Sequence, residues 1–246
     1  MIDDNIPKQG KLTTPNSEPN EDIKQVYLAF CDILGFSNMI STDFDGTLEI
    51  YREFGQSVEN SQFRGVEVTM YSDSIIITGP DLYQVAGSVQ LLWFTALTRN
   101  LMMRGAITYG RYWERKTGRS LLVASDALVR AVKLESMVSV PAVFIADDIE
   151  IFDDMWSNYF VNGPFSSPIL HFRDRNIINP FNHFWFRSAG NRAENLLEQY
   201  PAHKDKYLWF LALHSAIDSN KTLAPEGKLD QLIADGWISK ASSDSN

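Results

Sequence analysis

One cysteine, Cys31, is all the thiol that this chain of 246 residues carries. An intrachain disulfide is excluded, and a thiol inside the apolar run Val26 to Ile33 reads as a small buried hydrophobe suited to a reducing cytosol. Long hydrophobic runs are missing as well. No window approaches the roughly 20 apolar residues of a membrane span. The first twenty residues, with Pro7, Gly10, Pro15 and Pro19, lack the apolar centre of a signal peptide, so a cytoplasmic location is expected. Positive charge is scarce: 22 Lys and Arg stand against 31 Asp and Glu, a formal charge of -9. That balance disfavours non-specific attraction to nucleic acid or to an anionic membrane, and neither is expected as a partner. The four histidines, His171, His183, His203 and His214, show no metal-ligand spacing. No internal repeat or sustained heptad run is present.

What remains is a chain with 44% hydrophobic residues, enough to bury one core of about 200 residues. Residues 1–22 read as a flexible tail, 23–220 as one domain, and 221–246 as a short helix and polar tail. Within the domain, 24–145 carries the motifs and 146–220 is an aromatic, loop-rich extension. Val26 to Ile33, closed by Gly35, predicts a buried strand. Two helices, or one broken over Asp43 to Gly46, are expected from Ser37 to about Asn60. Val66, Val68 and Met70, then Ile75 to Ile77, flank Tyr71-Ser72-Asp73-Ser74 as a hairpin tip. A helix over Leu82 to Met103, a strand over Arg104 to Trp113, a helix over Ala124 to Met137 and a strand over Val140 to Ile145 follow. A last helix spans Tyr207 to Ile217. The order is that of an α+β fold.

Two carboxylates stand out. Asp32 ends a buried strand, where a following loop can present backbone N–H groups to an anion. Taken alone it reads equally as a helix cap or turn former. Asp73 sits on a tight hairpin between two apolar strands, where a charge must face solvent or a site. Two strand-end carboxylates can share two metal ions, and such a pair suits phosphoryl chemistry on a triphosphate. An acidic protein that binds a triphosphate must neutralise it locally, with metal, backbone N–H groups and a few placed cations.

Phe30-Cys31-Asp32-Ile33-Leu34-Gly35-Phe36 resembles the first metal-binding motif of class III adenylate and guanylate cyclases, and Tyr71-Ser72-Asp73-Ser74 falls where their Gly-Asp hairpin lies. Arg104-Gly105-Ala106-Ile107-Thr108-Tyr109-Gly110 and Ala131-Val132-Lys133-Leu134-Glu135 are similar to the family's Arg-x-Gly-Ile strand and its helix of transition-state residues. The resemblance covers about residues 24–145. It implies a ferredoxin-like cyclase domain, an antiparallel-rich sheet flanked by helices, working as a head-to-tail homodimer with composite sites. It further implies that Asp32 and Asp73 hold two divalent ions, Mn2+ or Mg2+, helped by the Ile33 carbonyl. The backbone of Leu34, Gly35, Phe36 and Ser37 would hold phosphate.

Departures from the family pattern bear on the base. Purine-specific members carry Lys or Glu four residues before the second Asp, where this chain has Thr69. The other base-reading position falls near Leu122, which is apolar. Thr69, Tyr71 and Asp73 share one face by strand periodicity, so Tyr71 could lie over a small base or pack as an ordinary strand aromatic. The family's Asn-x-x-x-Arg pair maps to Val129 and Lys133. Lys133, with Arg130 one helical step away, could bear transition-state charge or simply face solvent. Arg104 could meet phosphate, a dimer partner or a surface carboxylate.

These departures, with the Tyr207-Leu208-Trp209 helix, most resemble the Pycsar pyrimidine cyclases of bacterial antiphage defence. That resemblance implies conversion of UTP to cyclic UMP, or of CTP to cyclic CMP, as a signal to a separate effector protein. Competing expectations are a purine cyclase with an unusual pocket, an inactive nucleotide-binding sensor, and a polymerase-type palm. Thr69 weighs against the first, retention of both carboxylates against the second, and the -9 charge against the third.

Overall fold

The computed structural model describes residues 23–60 and 65–239. The expected tails at 1–22 and from 240 onward lie outside the described residues.

Strand β1 (Lys24–Ile33) is the centre of the sheet because it is apolar on both faces, as a strand covered on both sides must be. It is followed by α1 (Phe36–Thr42) and α2 (Phe44–Asn60), so the expected break falls at Asp43 alone. The hairpin β2 (Glu67–Tyr71) and β3 (Ser74–Gly79) comes next, with α3 (Leu82–Thr98) and β4 (Met103–Thr117) after it. The Asp81 side chain caps α3 by accepting the Gln84 N–H at 2.9 Å. These four strands lie in the order β2-β3-β1-β4, with β1 antiparallel to both its neighbours. That is the ferredoxin-like split βαβ arrangement.

The helix expected to reach Met103 stops at Thr98, and β4 is longer than expected because it forms an arm with β5 (Ser120–Ser125). This short strand was not expected; its two exposed leucines, Leu121 and Leu122, obscure the alternation that marks a half-buried strand. Helix α4 (Asp126–Ser136) begins at Ser125, whose Oγ accepts the Leu128 N–H at 3.0 Å. It covers one face of β1 and β4 through Val26, Leu28, Tyr112, Ala127 and Ala131. The opposite face carries the main core, with Ala29, Cys31, Ile33, Ile75 and Ile77 against Phe54, Val85 and Trp93.

The final third corrects the loop-rich expectation. Beyond β6 (Val143–Ile145), the strand expected within Val140 to Ile145, it contains α5 (Asp153–Asn162), β7 (Ile169–Phe172), β8 (Arg175–Ile178) and α6 (Phe186–Gln199), none of them expected, then the expected last helix as α7 (Lys204–Asp218) and the expected short helix as α8 (Lys228–Ala234). Strands β6, β8 and β7 extend the sheet beyond β4. Its aromatics are core: Phe181 and Phe210 are buried with ring centroids 5.0 Å apart, and Phe210 stacks on Trp93 at 5.8 Å. Frequent Asn, Pro and Gly between short elements conceal this order in the sequence. Among the described residues, no helix is long and apolar enough to cross a membrane.

Candidate active site

The register of three strands assembles the site. Asp32 on β1 is paired with Ser74 on β3 and with Arg104 on β4, and Ser74 is paired with Tyr71 on β2. Residues directly opposite in an antiparallel ladder share a face. Tyr71, Ser74, Asp32 and Arg104 therefore form one row, on the face that α4 covers further along. Thr69 stands on the same face, opposite Ile76. Tyr71 is 83% exposed, so its ring is left open among the described residues.

Asp73 occupies the turn between β2 and β3 rather than the strand face itself. Ser72 beside it has φ 54, a left-handed conformation that costs a non-glycine residue about 1 kcal/mol. The turn is tied down from β1: the Ile33 N–H donates to the Asp73 carbonyl at 3.0 Å. This bond brings Asp73 to the end of the strand that carries Asp32. The Leu34 N–H donates to Met102 O at 2.8 Å, and Gly35 (φ 80) then turns the chain into α1. The backbone from Leu34 through Gly35 and Phe36 to Ser37 thus lies directly after Asp32 and ends in the first turn of a helix, whose N–H groups have no intrahelical partner.

Asp32 is only 19% exposed. Burial, reinforced by the neighbouring charge of Asp73, pushes its carboxyl from the ordinary 3.8 up to about 6, against the opposing pull of Arg104. Arg104 turns onto the carboxylates instead of outward to a phosphate or a partner. Its Nε–H donates to Asp32 Oδ2 at 3.2 Å, and its Nε lies 2.7 Å from Glu135 Oε1. The single Nε–H serves Asp32, so the Glu135 contact is an ion pair without hydrogen-bond geometry, and that oxygen is otherwise unpartnered among the described residues. A second donor of Arg104, Nη1, reaches Val138 O at 3.3 Å. Gly105 allows this closeness: a Cβ there would stand 2.4 Å from Phe30 O.

Glu135 is the residue for which the sequence yielded no role. It is 6% exposed, on the face of α4 that also buries Ala127 and Ala131. A charged residue four positions after Ala131 in an apolar stripe was the available signal.

Arg130 and Lys133 are not brought to Asp32 and Asp73. Arg130 donates to Tyr109 O at 3.0 Å and pairs with Asp148 at 2.5 Å. Both cations line a separate cavity of about 370 Å³ with Met137 and Arg175. Around them α4 exposes Val129 and Val132. Leu122, near which the other base-reading position was expected, is exposed on the β5 arm.

Among the described residues, no cluster of three or more His, Cys, Asp or Glu side chains could hold a metal ion. Two carboxylates nevertheless fit Mg2+ or Mn2+ that takes its remaining ligands from water and substrate phosphates. The Asp32 carboxyl, raised first by burial and then by the charge of Asp73, is one that a nearby cation would draw back toward its ordinary value.

No protein-family model matches the chain, and no curated protein matches it. Solved structures do. The adenylyl cyclase CyaB from P. aeruginosa matches at 12% identity and a TM-score of 0.40, over 52% of this chain and 79% of that one. The guanylyl cyclase Cya2 matches at 9% and 0.43, over 64% and 92%. The adenylate/guanylate cyclase/hydrolase from Silicibacter pomeroyi matches at 16% and 0.38, over 64% and 95%. At such values a likeness does not bear on chemistry; the residues of the site do.

Proposed function

We propose that this chain is a nucleotidyl cyclase that converts a pyrimidine nucleoside triphosphate, UTP ahead of CTP, to its 3′,5′-cyclic monophosphate and diphosphate. One observation carries the reading. The ferredoxin-like sheet and the Ile33 to Asp73 hydrogen bond bring two carboxylates together at the mouth of a helix-starting loop.

Asp32 and Asp73, with the Ile33 carbonyl, would hold two divalent cations. Bound there, Mn2+ or Mg2+ supplies charge neutralisation for the triphosphate and acidifies the ribose 3′-hydroxyl. The chain itself positions. The N–H groups of Gly35, Phe36 and Ser37 would donate to phosphate oxygens at the start of α1 and hold the α-phosphorus in line for the 3′-oxygen, as diphosphate departs; the Leu34 N–H expected to join them is taken by Met102 O. Tyr71 offers an open ring for a small base and Thr69 a hydroxyl beside it, in place of the charged side chain that a purine reader would use.

Arg130 and Lys133 stand outside the half-site, on an apolar-rimmed face of α4. They act if two chains pack head to tail, so that α4 of one faces Tyr71 and Asp73 of the other. The -9 charge leaves such placed cations to neutralise the transition state. On the resemblance to antiphage pyrimidine cyclases, the product would act as a signal to a separate effector protein.

A second reading, a nucleotide-binding sensor without catalysis, is favoured by one feature: Arg104 already offers Asp32 a cation. A single experiment separates the two. Purified protein is incubated with Mn2+ and each of ATP, GTP, CTP and UTP, and products are resolved by mass, with Asp73→Ala as blank. A cyclic pyrimidine monophosphate lost in the variant supports the cyclase; a cyclic purine product sinks the pocket reading. No product beside measurable triphosphate binding supports the sensor.

A further inference from the structure

A cavity of about 450 Å³ lies behind the loop that follows Asp32, where α1 and α2 meet the corner between α6 and α7. Its size is that of a small-molecule site. Neither Asp32 nor Asp73 lines it. Leu34, Ile50 and Tyr207 contribute apolar surface, and Lys206 and Arg99 contribute positive charge.

The charges differ in their commitments. Arg99 is fixed by the protein: Nη2 donates to Ser57 Oγ at 3.1 Å, Nη1 to Thr95 O at 3.2 Å, and Nε lies 3.6 Å from Glu53. Lys206 is half-buried and has no hydrogen bond or ion pair among the described residues. The single acid on the wall, Asp43, is occupied as an acceptor for the Gly46 N–H at 3.0 Å. With Arg99 answered by Glu53 and Asp43 turned to the Gly46 N–H at the start of α2, Lys206 is the cation on this wall left to meet an anionic group beside the apolar surface.

We propose that this cavity binds an amphipathic organic anion, its apolar body against Leu34, Ile50 and Tyr207 and its acidic group on Lys206, and that occupancy regulates the site next door. The regulatory half rests on the cyclase reading above; the binding half does not. The link is covalent and short. Leu34 and Gly35 form part of the cavity wall and follow Asp32-Ile33 directly, and Met102, which accepts the Leu34 N–H, lines the cavity too. An occupant that shifts this loop changes how the first turn of α1 meets phosphate, and binding at the two sites must then be reciprocally coupled.

The test uses 1-anilinonaphthalene-8-sulfonate, a planar apolar body with one anionic group, titrated into the full chain in EDTA and followed by fluorescence. One saturable site per chain is expected. Lys206→Glu should weaken it at least about fivefold, with a nearly unchanged melting temperature because the side chain has no hydrogen bond or ion pair among the described residues to lose. Ile50→Trp, which fills the cavity, should abolish it, and the uncharged N-phenyl-1-naphthylamine should bind less tightly. Asp73→Ala should bind the probe as the parent does. Binding that is indifferent to Lys206→Glu, or absent from the parent, overturns the site. Probe binding as expected in a protein that makes no cyclic nucleotide leaves the site standing while the cyclase reading fails. Cyclic-nucleotide synthesis that saturating probe leaves unchanged overturns the regulatory half alone; a change of about fivefold or more supports it.

Discussion

Replacing Asp32 by Asn should stabilise the protein while destroying its proposed activity. In the metal-free chain the Asp32 carboxyl is raised from 3.8 to about 6, first by burial and then by Asp73. A carboxylate whose folded-state value is raised destabilises the fold above that value, and its cost vanishes below the unfolded value. A gap of roughly two corresponds to about 3 kcal/mol. The side chain is 19% exposed, and screening trims the figure to about 2 kcal/mol. Asn keeps an oxygen for the Arg104 Nε–H and removes the charge. For a domain of this size, about 2 kcal/mol is about 4–8 °C in Tm. Thermal melts of parent and Asp32→Asn in EDTA should therefore differ by that amount at pH 8. The gap should close through pH 6 and be gone near pH 4, where both side chains are neutral. Taking the difference between the two proteins cancels the other carboxylates, which lose their own pairings in acid. Adding Mn2+ at pH 8 should raise the parent's Tm, by mass action on the folded state alone, and leave the variant nearly unmoved. A variant no more stable than its parent at pH 8, or a gap that persists at pH 4, refutes the account of a strained carboxylate awaiting a cation.

Other expectations are more direct. Gly105→Ala places a methyl within 2.4 Å of Phe30 O; it should cost about 3 kcal/mol in urea unfolding. Phe210→Ala empties the contact with Phe181 and Trp93 and should cost about 3–5 kcal/mol, whereas a merely loop-like final third would register less than about 1 kcal/mol. Lys133→Ala should leave Tm unchanged and depress turnover. Mixed one to one with Asp73→Ala, it should recover about a quarter of parent activity, because half the dimers would then hold one intact composite site. Absence of recovery between two inactive but folded variants argues against shared sites.

Most of the fold of residues 24–145 was legible because its signals are local, the β5 arm with its exposed Leu121 and Leu122 being the exception. A strand covered on both faces must be largely apolar, as Val26 to Ile33 is, and a two-residue turn between apolar strands must turn its charge to solvent or to a site, as the half-buried Asp73 does. Arg104 and Glu135 were legible only in part. Each looks like a surface ion in sequence, and only the pairing of Asp32 with Arg104 across β1 and β4 turns them inward as one network. The final third was hidden because its order depends on distant partners: Phe181 is fixed by Phe210 and His214, residues about thirty positions away, and no local periodicity records that.

The uneven legibility of the site follows from which chain constrains each residue. Asp32, Asp73 and Gly105 are held by this chain's own backbone, through the Ile33 to Asp73 bond and the contact with Phe30 O, so the motifs that carry them stand out in one sequence. Tyr71, Val129, Lys133 and Leu122 lie on open surface, with Leu121, Val132 and Met137 also exposed along α4 and the β5 arm. Apolar groups gathered around two basic side chains are poorly explained as a solvated face, since burying them would release about 25 cal/mol for each Å² removed from water. In the proposed head-to-tail dimer a second copy of the chain, presenting α4 to Tyr71 and Asp73, would cover them and would bring Lys133 to a half-site whose own cation, Arg104, is held by Asp32 and Glu135. Base choice would then be settled in the seam between two chains, where Thr69 and Tyr71 of one meet the β5 arm of the other, and a Leu122→Asp substitution should change both the dimerisation constant and the preferred base. Sedimentation velocity alongside the four-triphosphate assay checks it: a variant that dimerises as the parent does, with the same base preference, removes Leu122 from the seam.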